Sequence, residues 1–569
     1  MIINLKDFLY LKEDNDFTLC VQEALHTLKK HPGATLKLGG GEYHFYEKYA
    51  FQKDYYISNN TYGKKNIIFP LIDMEDVTVD GEGADLMFHG DILPFVIDNS
   101  KNVTLKNFKI DYPNPFFFQG EITDAQEDFI EITFDPKGTS LKIEDNNMVF
   151  FSPEDGWEIK KDRALTTEFD IKTSGPSSHI SPYILFLSDK SDGSFLERMY
   201  RYMKATQLAE NKIRFDGHFK HTHNIGNMFV CTCAPGRTSP GILINEAKDT
   251  LLKDVTLHSS IAMGIIGQLS ENVTLENVKT VPRENSGRYL SVNADSTHFV
   301  NCTGAIRYEN CIFTNMLDDA GNVHGNYLKI AKVIDKHTLL LTFGHEEQVG
   351  VSIFSKGDVV RLVDNKKMTE IACVTVKEST LLSTDYIRLE VEEDLPELNK
   401  GNTVENFTKM PELYINNCIS GHNRPRGFLP STWRKTVITN NTFYNMSQAL
   451  HFTGDSNDWF ESGHVEDVII KNNNFKNSAY TGGCAIIIDP HVLEGDTPYH
   501  KNIIIEDNVF EMHEERFLIA KHVENLVFKN NKFIKNELLP AHNKPNEKGI
   551  VIADSCVNSI IEDVKKCTD

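Results

Sequence analysis

Two adjacent aspartates, Asp318 and Asp319, sit in the stretch Asn315-Met316-Leu317-Asp318-Asp319-Ala320-Gly321-Asn322-Val323-His324-Gly325. A third, Asp295, lies 23 positions before the first, in Asn293-Ala294-Asp295-Ser296-Thr297. Carboxyl groups held close together cannot all ionise freely, so a cluster of them supplies a proton donor and a proton acceptor from one residue type. An acid and a base facing one bond is what glycosidic hydrolysis requires. Aspartate pairs are also common in solvated turns, so this pair acquires meaning only if the fold carries Asp295 to it.

A second polar cluster follows. Asn423-Arg424-Pro425-Arg426-Gly427 precedes Gly454-Asp455-Ser456-Asn457-Asp458-Trp459-Phe460-Glu461-Ser462-Gly463, and two of the three tryptophans, Trp433 and Trp459, fall in this region. A tryptophan face stacks on the apolar face of a sugar, while Asp, Glu, Asn and Arg bond its hydroxyls. A lone tryptophan is usually a core residue, but one inside a loop of Gly, Asp and Ser, as Trp459 is, less often so, and both readings stay open.

A short repeat suggests how these residues are positioned. It reads acidic or Asn, β-branched, any residue, aliphatic, any residue, Asn or Asp, as in Asp76-Val77-Thr78-Val79-Asp80 and Asn272-Val273-Thr274-Leu275-Glu276-Asn277. Later copies are more regular: Val437-Ile438-Thr439-Asn440-Asn441-Thr442-Phe443, then equivalents ending at Phe475, Phe510 and Phe533. A strand of alternating apolar residues followed by an Asn turn is one rung of a parallel β-helix, with the apolar positions stacked inward and the Asn residues in turns that favour positive φ. Rungs stack at the strand spacing, about 4.8 Å. A separation of 23 residues is close to one plain rung, so Asp295 should lie about one rung from Asp318 and Asp319. In a straight strand, neighbours 318 and 319 would point to opposite faces. Ala320-Gly321-Asn322 implies a bend that lets both face one cleft.

The expected fold is all-β: a right-handed parallel β-helix with two inserted small antiparallel β-barrels. Residues 1–113 form an N-terminal cap and the first rungs, with an amphipathic helix from Asp16 to Lys30 and a turn at Gly39-Gly40-Gly41. Residues 114–238 and 328–409 contain dense strand-like runs without Asn turns, such as Tyr183-Ile184-Leu185-Phe186-Leu187 and Tyr386-Ile387-Arg388-Leu389-Glu390-Val391, and are read as the barrels. Residues 239–327 return to the β-helix and carry the aspartates, and 410–569 complete the rungs. Beyond Asn536 only Ile550-Val551-Ile552 and Ser559-Ile560-Ile561 suggest strands.

With 40% hydrophobic and 25% charged residues the chain is ordinary for a protein that buries a core. A net charge of −22 argues against nucleic acid or an anionic membrane surface as partner. The N-terminus lacks the basic-then-apolar run of a signal peptide, so a cytoplasmic location is expected, or secretion if a leader has been removed. The ten cysteines are scattered and form no dense framework. His218, His221, His223, Cys231 and Cys233 could in principle hold zinc, but their spacing is not a zinc pattern. Core cysteines beside a polar loop are expected instead, and no metal or cofactor. Assembly into a homo-oligomer is left open.

The chain resembles glycoside hydrolase family 110, the α-1,3-galactosidases. The resemblance runs through Gly287-Arg288, Asn293-Ala294-Asp295-Ser296-Thr297-His298-Phe299, Asn301-Cys302-Thr303-Gly304, the Asp318–Gly325 stretch, Arg424-Pro425-Arg426-Gly427 and Trp459-Phe460-Glu461-Ser462-Gly463. Pro425 stands where a small residue such as Ala is expected. The resemblance implies exo-acting, inverting release of terminal α-1,3-linked galactose from an oligosaccharide or glycan, of the blood-group B or the linear type. Asp295, Asp318 and Asp319 are the catalytic candidates. Arg288, Asn322, His324, Arg424, Arg426, Asp455, Trp459 and Glu461 are the candidates for substrate binding. The trio is also similar to that of polygalacturonases, which implies Asp318 as general acid and Asp319 with Asp295 as the base pair that positions water. A uronate-specific β-helix glycosidase is the enzyme alternative, with Arg288 and Arg307 as its cations. A non-catalytic carbohydrate-binding β-helix is the alternative of another class.

Overall fold

The computed structural model describes residues 1–187, 198–539 and 549–567. Its backbone coils into a parallel β-helix whose regular rungs each contribute three strands. In one rung these are Thr436–Thr439, Thr442–Tyr444 and Leu450–Phe452. Each pairs in parallel with its counterpart one turn on, Val468–Lys471, Asn474–Lys476 and Ile486–Ile488.

The Asn turn joins the first two strands and has two parts. Asn440, Asn472, Asp507 and Asn530 take φ between 55° and 61°, the left-handed region where Asn and Asp are the best tolerated non-glycine residues. The next residue points inward. Asn441, Asn473, Asn508 and Asn531 form a buried ladder in which each side-chain amide donates to the carboxamide oxygen of the next rung, at 2.9, 3.0 and 3.1 Å. The same oxygens accept the backbone N–H of the preceding rung. Turn backbone that would otherwise be buried without a partner is thereby satisfied. Two residues further on, Phe443, Phe475 and Phe510 stack at 5.2 and 4.8 Å and fill the interior. Rungs of unequal length keep one register because the Asn and Phe ladders fix it while the loops absorb the difference.

The helix Thr18–Lys29 caps the N-terminal end, burying Cys20, Val21, Ala24, Leu25 and Leu28 over the first rungs. At the other end Ile550–Ile552, Ile560–Ile561 and Lys565–Cys567 pair in parallel with the preceding turn. The tail therefore carries a full rung where the sequence suggests only two short strands. Ile560 is exposed; a terminal rung with little stacked above it has no reason to keep an apolar alternation.

Two excursions interrupt the coil. In the first, an eight-stranded sheet runs from Phe117–Ala125 to Met228–Thr232. The successive strands Tyr200–Tyr202 and Lys204–Ala209 form its two edges, so the sheet curls back on itself. Cys231 and Cys233 lie in its core, with thiols pushed up by burial. His223 hydrogen-bonds Glu168 at 2.6 Å. The second excursion is a closed antiparallel barrel of Gly321–Asp335, Thr338–Phe343, Tyr386–Val391, Thr369–Leu381, Val359–Asp364 and Thr403–Asn406, each paired with the next and the last with the first. Its first strand is also a rung strand: Gly321, Asn322 and Val323 pair with the solenoid, whereas Tyr327 onwards pairs within the barrel.

Replacing Asn473 by Ala removes one donor and one acceptor from the ladder and strands buried backbone groups. Leaving such groups unpaired costs about 1–3 kcal/mol each. Chemical denaturation of Asn473→Ala should show a loss of at least that size, and an unchanged midpoint would remove the ladder from the determinants of the fold.

Candidate active site

Backbone bonds between adjacent rungs bring the aspartates together. Ser296 N donates to Asp319 O at 2.9 Å, and Ala320 N donates to Gly427 O at 2.9 Å. Asp295, the Asp318–Asp319 pair and Arg426 therefore occupy three successive turns, although the barrel separates the last two by 107 residues. The chain bends at Asp318 and is not in a strand there, so both neighbours turn to the same side. Oxygen atoms of the three carboxyl groups come within 4.8 Å of one another. Gly427 has to be glycine for this stacking, since a Cβ there would collide with the Ala449 carbonyl of the next rung.

Each carboxyl group has a different environment. Asp319 is buried, and Arg426 holds it with two parallel bonds of 2.9 and 2.8 Å, the fork geometry of a guanidinium on a carboxylate. Burial and the other two aspartates push its carboxyl upward and Arg426 opposes them. Asp295 is 4% exposed; burial first and Asp318 second raise its carboxyl to about 8. Its Oδ2 lies 2.7 Å from Nδ1 of His298. Asp318 is the most accessible, with 18% of its side chain exposed, and faces Arg237 at 3.4 Å and Arg424 at 3.8 Å.

The trio forms part of a pocket of 140 Å³, lined also by Asn59, Arg237, His298, Asn322, Arg426, Leu429, Thr453, Asp455, Trp459 and Glu461. Larger hollows lie elsewhere, of 280 Å³ beside Pro176, Tyr444 and Tyr480 and of 500 Å³ beside Lys53 and Tyr56; the second is lined by Asp54, Asp73, Asp98 and Glu246, but among the described residues no three carboxyl groups converge in either. Four chain segments wall the pocket. The loop at Ser58–Thr61 carries Asn59, whose amide donates to Glu461 at 3.2 Å. The segment Ala234–Ser239 leaving the first excursion brings Arg237. Glu347 of the barrel meets Arg237 at 3.5 Å and, through its backbone, Asn59 at 2.7 Å. The loop Gly454–Glu461 brings Trp459, which stacks on His345 at 4.6 Å. Asn322 donates to Glu461 at 3.2 Å, and its amide oxygen is buried with no hydrogen-bond partner among the described residues. Burial by itself would raise Glu461, but His324, His298 and the Asn322 amide hold it below the usual carboxylate range.

Of the substrate-binding candidates, Asn322, Arg426, Trp459 and Glu461 face the pocket. Arg288 does not. Its guanidinium is consumed by Asp111 at 2.7 Å and by the carbonyls of Tyr112 and Pro113 at 2.9 Å, where it fastens the start of the first excursion. His324 is fully buried and lies behind the pocket wall, with Nε2 against His298 at 2.8 Å and Nδ1 against the Gly325 carbonyl at 2.7 Å. Arg424 donates to the Leu317 carbonyl at 3.1 Å and backs Asp318 from outside. Asp455 reaches the pocket, but its oxygens already accept the backbone N–H groups of Asn457, Asp458 and Trp459, so it shapes the loop that presents Trp459. Trp433 is a core residue stacked on Phe407 at 4.5 Å. Arg307 lies over the ring of Tyr414, a sheet away from the aspartates. Asn59, Arg237 and His298 are pocket residues that sequence reasoning did not single out. Arg237 had one signal, a cation in the Pro- and Gly-rich turn Ala234-Pro235-Gly236-Arg237; Asn59 had none.

A parallel β-helix with carboxyl groups converging from adjacent rungs and an aromatic wall has the construction of a glycoside hydrolase. The chain is 31% identical to an α-1,3-galactosidase B of Bacteroides thetaiotaomicron over 99% of its own length and 91% of the relative's. It is 31% identical to an α-1,3-galactosidase A of Shewanella woodyi over 95% and 86%, and 33% identical to an α-1,3-galactosidase B of Phocaeicola vulgatus over 92% and 88%. Residues 118–229 match the GLAA-B beta-barrel domain I and residues 338–403 the GLAA-B beta-barrel domain II. The chain belongs to the α-1,3-galactosidase family, glycoside hydrolase family 110.

The raised carboxyl of Asp295 gives a signed expectation for stability. The folded chain keeps a proton that the unfolded chain releases above its ordinary value near 4, so stability falls as pH climbs from there to about 8. Asp295→Asn, neutral at every pH and able to donate to His298, should melt several degrees above the parent at pH 8. The gap should close towards pH 4, and a gap that does not vary with pH contradicts the buried proton.

Proposed function

We propose that the protein hydrolyses terminal α-1,3-linked galactose from oligosaccharides, acting from the non-reducing end with inversion. The observation that carries this is the trio itself: three carboxyl groups from two adjacent rungs at the base of a small pocket, in a chain of this family. Asp318, the exposed member, suits the general acid, because the acid must reach the glycosidic oxygen. Asp319 and Asp295 lie deeper, where a water between them would face the anomeric carbon. Trp459 offers a stacking face, and Glu461 offers an acceptor for hydroxyl groups. A pocket of 140 Å³ suits one sugar ring rather than an extended chain, which supports exo action.

The uronate alternative loses its support. Arg288 and Arg307 are engaged elsewhere, and the two arginines of the pocket are matched by Asp318, Glu347 and Asp319. Inversion rests on the family resemblance, because the trio is tighter than the roughly 6.5–9.5 Å usual for the acid and base of inverting enzymes.

Incubation with α-1,3-, α-1,4- and α-1,6-linked galactosides, followed by NMR, tests specificity and stereochemistry together. Galactose should appear from the α-1,3 linkage, first as the β-anomer; the α-anomer first would overturn inversion. Asp318→Asn should lose about 10²–10⁴-fold in kcat on a natural substrate and recover selectively on one with an activated leaving group. Equal loss on both substrates would move the acid elsewhere.

A further inference from the structure

As a base, Asp295 has to be a carboxylate, yet the hydrogen bonds behind it require a proton. The Gly325 carbonyl can only accept, so Nδ1 of His324, 2.7 Å away, carries hydrogen. A neutral His324 then has a bare Nε2, which must accept from Nε2–H of His298 at 2.8 Å. A neutral His298 in turn has a bare Nδ1, 2.7 Å from Oδ2 of Asp295, and only a protonated carboxyl fills that contact. Removing this proton would leave a nitrogen lone pair facing an oxygen lone pair somewhere along the chain. The three contacts thus need three protons, and with Asp295 as carboxylate they can be arranged in two further ways: His298 as imidazolium beside a neutral His324, or His298 protonated on Nδ1 alone with His324 as imidazolium. Oε1 of Glu461 lies 3.6 Å from Nε2 of His324, a counter-charge for that cation.

We propose, on the basis of the functional reading above, that Asp295, His298 and His324 share one mobile proton and that His324 is the positioning residue that turns Asp295 into a base. Before water attacks, the Asp295 proton passes to Nδ1 of His298 while the Nε2 proton of His298 passes to His324. No net charge is created. The carboxylate then accepts a proton from the attacking water as the oxygen–carbon bond forms and Asp318 protonates the leaving oxygen. Asp295 returns that proton to Asp318 through a water molecule, the two carboxyl groups lying within 4.8 Å, and recovers its own from His324 through His298. The other ionisable groups facing the chain are Asp318, Asp319, Arg237 and Arg426 on the pocket side and Glu461 beside His324. Burial, the largest influence on His298, lowers it to about 3, in keeping with a neutral His298 in the resting arrangement.

The first test does not depend on activity. NMR of the parent protein with ¹⁵N-labelled histidine, near neutral pH, should show either His298 protonated on Nε2 and bare at Nδ1, or one of His298 and His324 doubly protonated. His298 protonated on Nδ1 alone beside a singly protonated His324 would mean two protons and would overturn the proposal. The second test is His324→Gln, which can accept from His298 but cannot become a cation. Its kcat at neutral pH should fall about 100-fold with KM little changed, and activity should return as pH rises and Asp295 ionises to solvent. The proton inventory in mixed H₂O and D₂O should change from curved to linear. Parent-like kcat and pH profile in a folded variant would sink the relay. If the parent releases no galactose from α-1,3-galactosides, the functional reading fails, and the NMR result decides the shared proton by itself.

Discussion

The parallel register between successive turns is the constraint from which the site follows. Ser296 N to Asp319 O and Ala320 N to Gly427 O are ordinary ladder bonds, each contributing little net free energy by itself. They nevertheless decide which residues meet. A slip of one residue would reverse every side chain between the interior and the surface, burying charges and exposing phenylalanines. The Asn ladder and the Phe stack pay for that register along the whole coil, so the aspartates need no local device to find each other. The excursions can grow to the size of domains without disturbing this, because they leave and rejoin the coil at fixed rungs.

The register also creates an electrostatic problem. Three carboxyl groups share a site that Asn59, Glu347 and the Trp459 loop shield from water, where like charges are expensive. The structure resolves it unequally. Asp319 receives a guanidinium, Asp318 keeps solvent and two more distant cations, and Asp295 keeps a proton and a histidine. Perturbation of this kind collects at functional sites, and it separates the members of a trio that are chemically identical in the sequence. The barrel has a direct part in this. Its first strand carries Asn322 and His324, and its turn at His345–Gln348 braces the pocket wall, so insertion and site form one construction.

The coil was legible because its signals are local. Asn at the turn, alternating β-branched residues and the recurring phenylalanine each reflect a conformation of a few residues. The spacing of 23 between Asp295 and Asp318 carried that periodicity into the site, and the bend at Asp318 was foreshadowed by Ala320-Gly321-Asn322. The pocket wall was not legible in the same way. Asn59 meets Glu461 across 402 residues, and Arg237 meets Asp318 across 81; no local pattern encodes such encounters. Arg288 and His324 lie outside the pocket for the converse reason. Both lie close to the aspartates in sequence, but Asp111 captures one, and the other falls behind the wall against His298. Asp455 has the composition of a sugar ligand and the bonding of a loop cap.

The central claim is that carboxyl groups from adjacent rungs perform chemistry and do not merely hold a sugar. Asp319→Asn tests it most directly, with hydrolysis of an α-1,3-galactoside and galactose binding by calorimetry measured on the same folded preparation. The account predicts that hydrolysis falls by about 10²-fold or more while galactose still binds. Hydrolysis at the parent rate would contradict it.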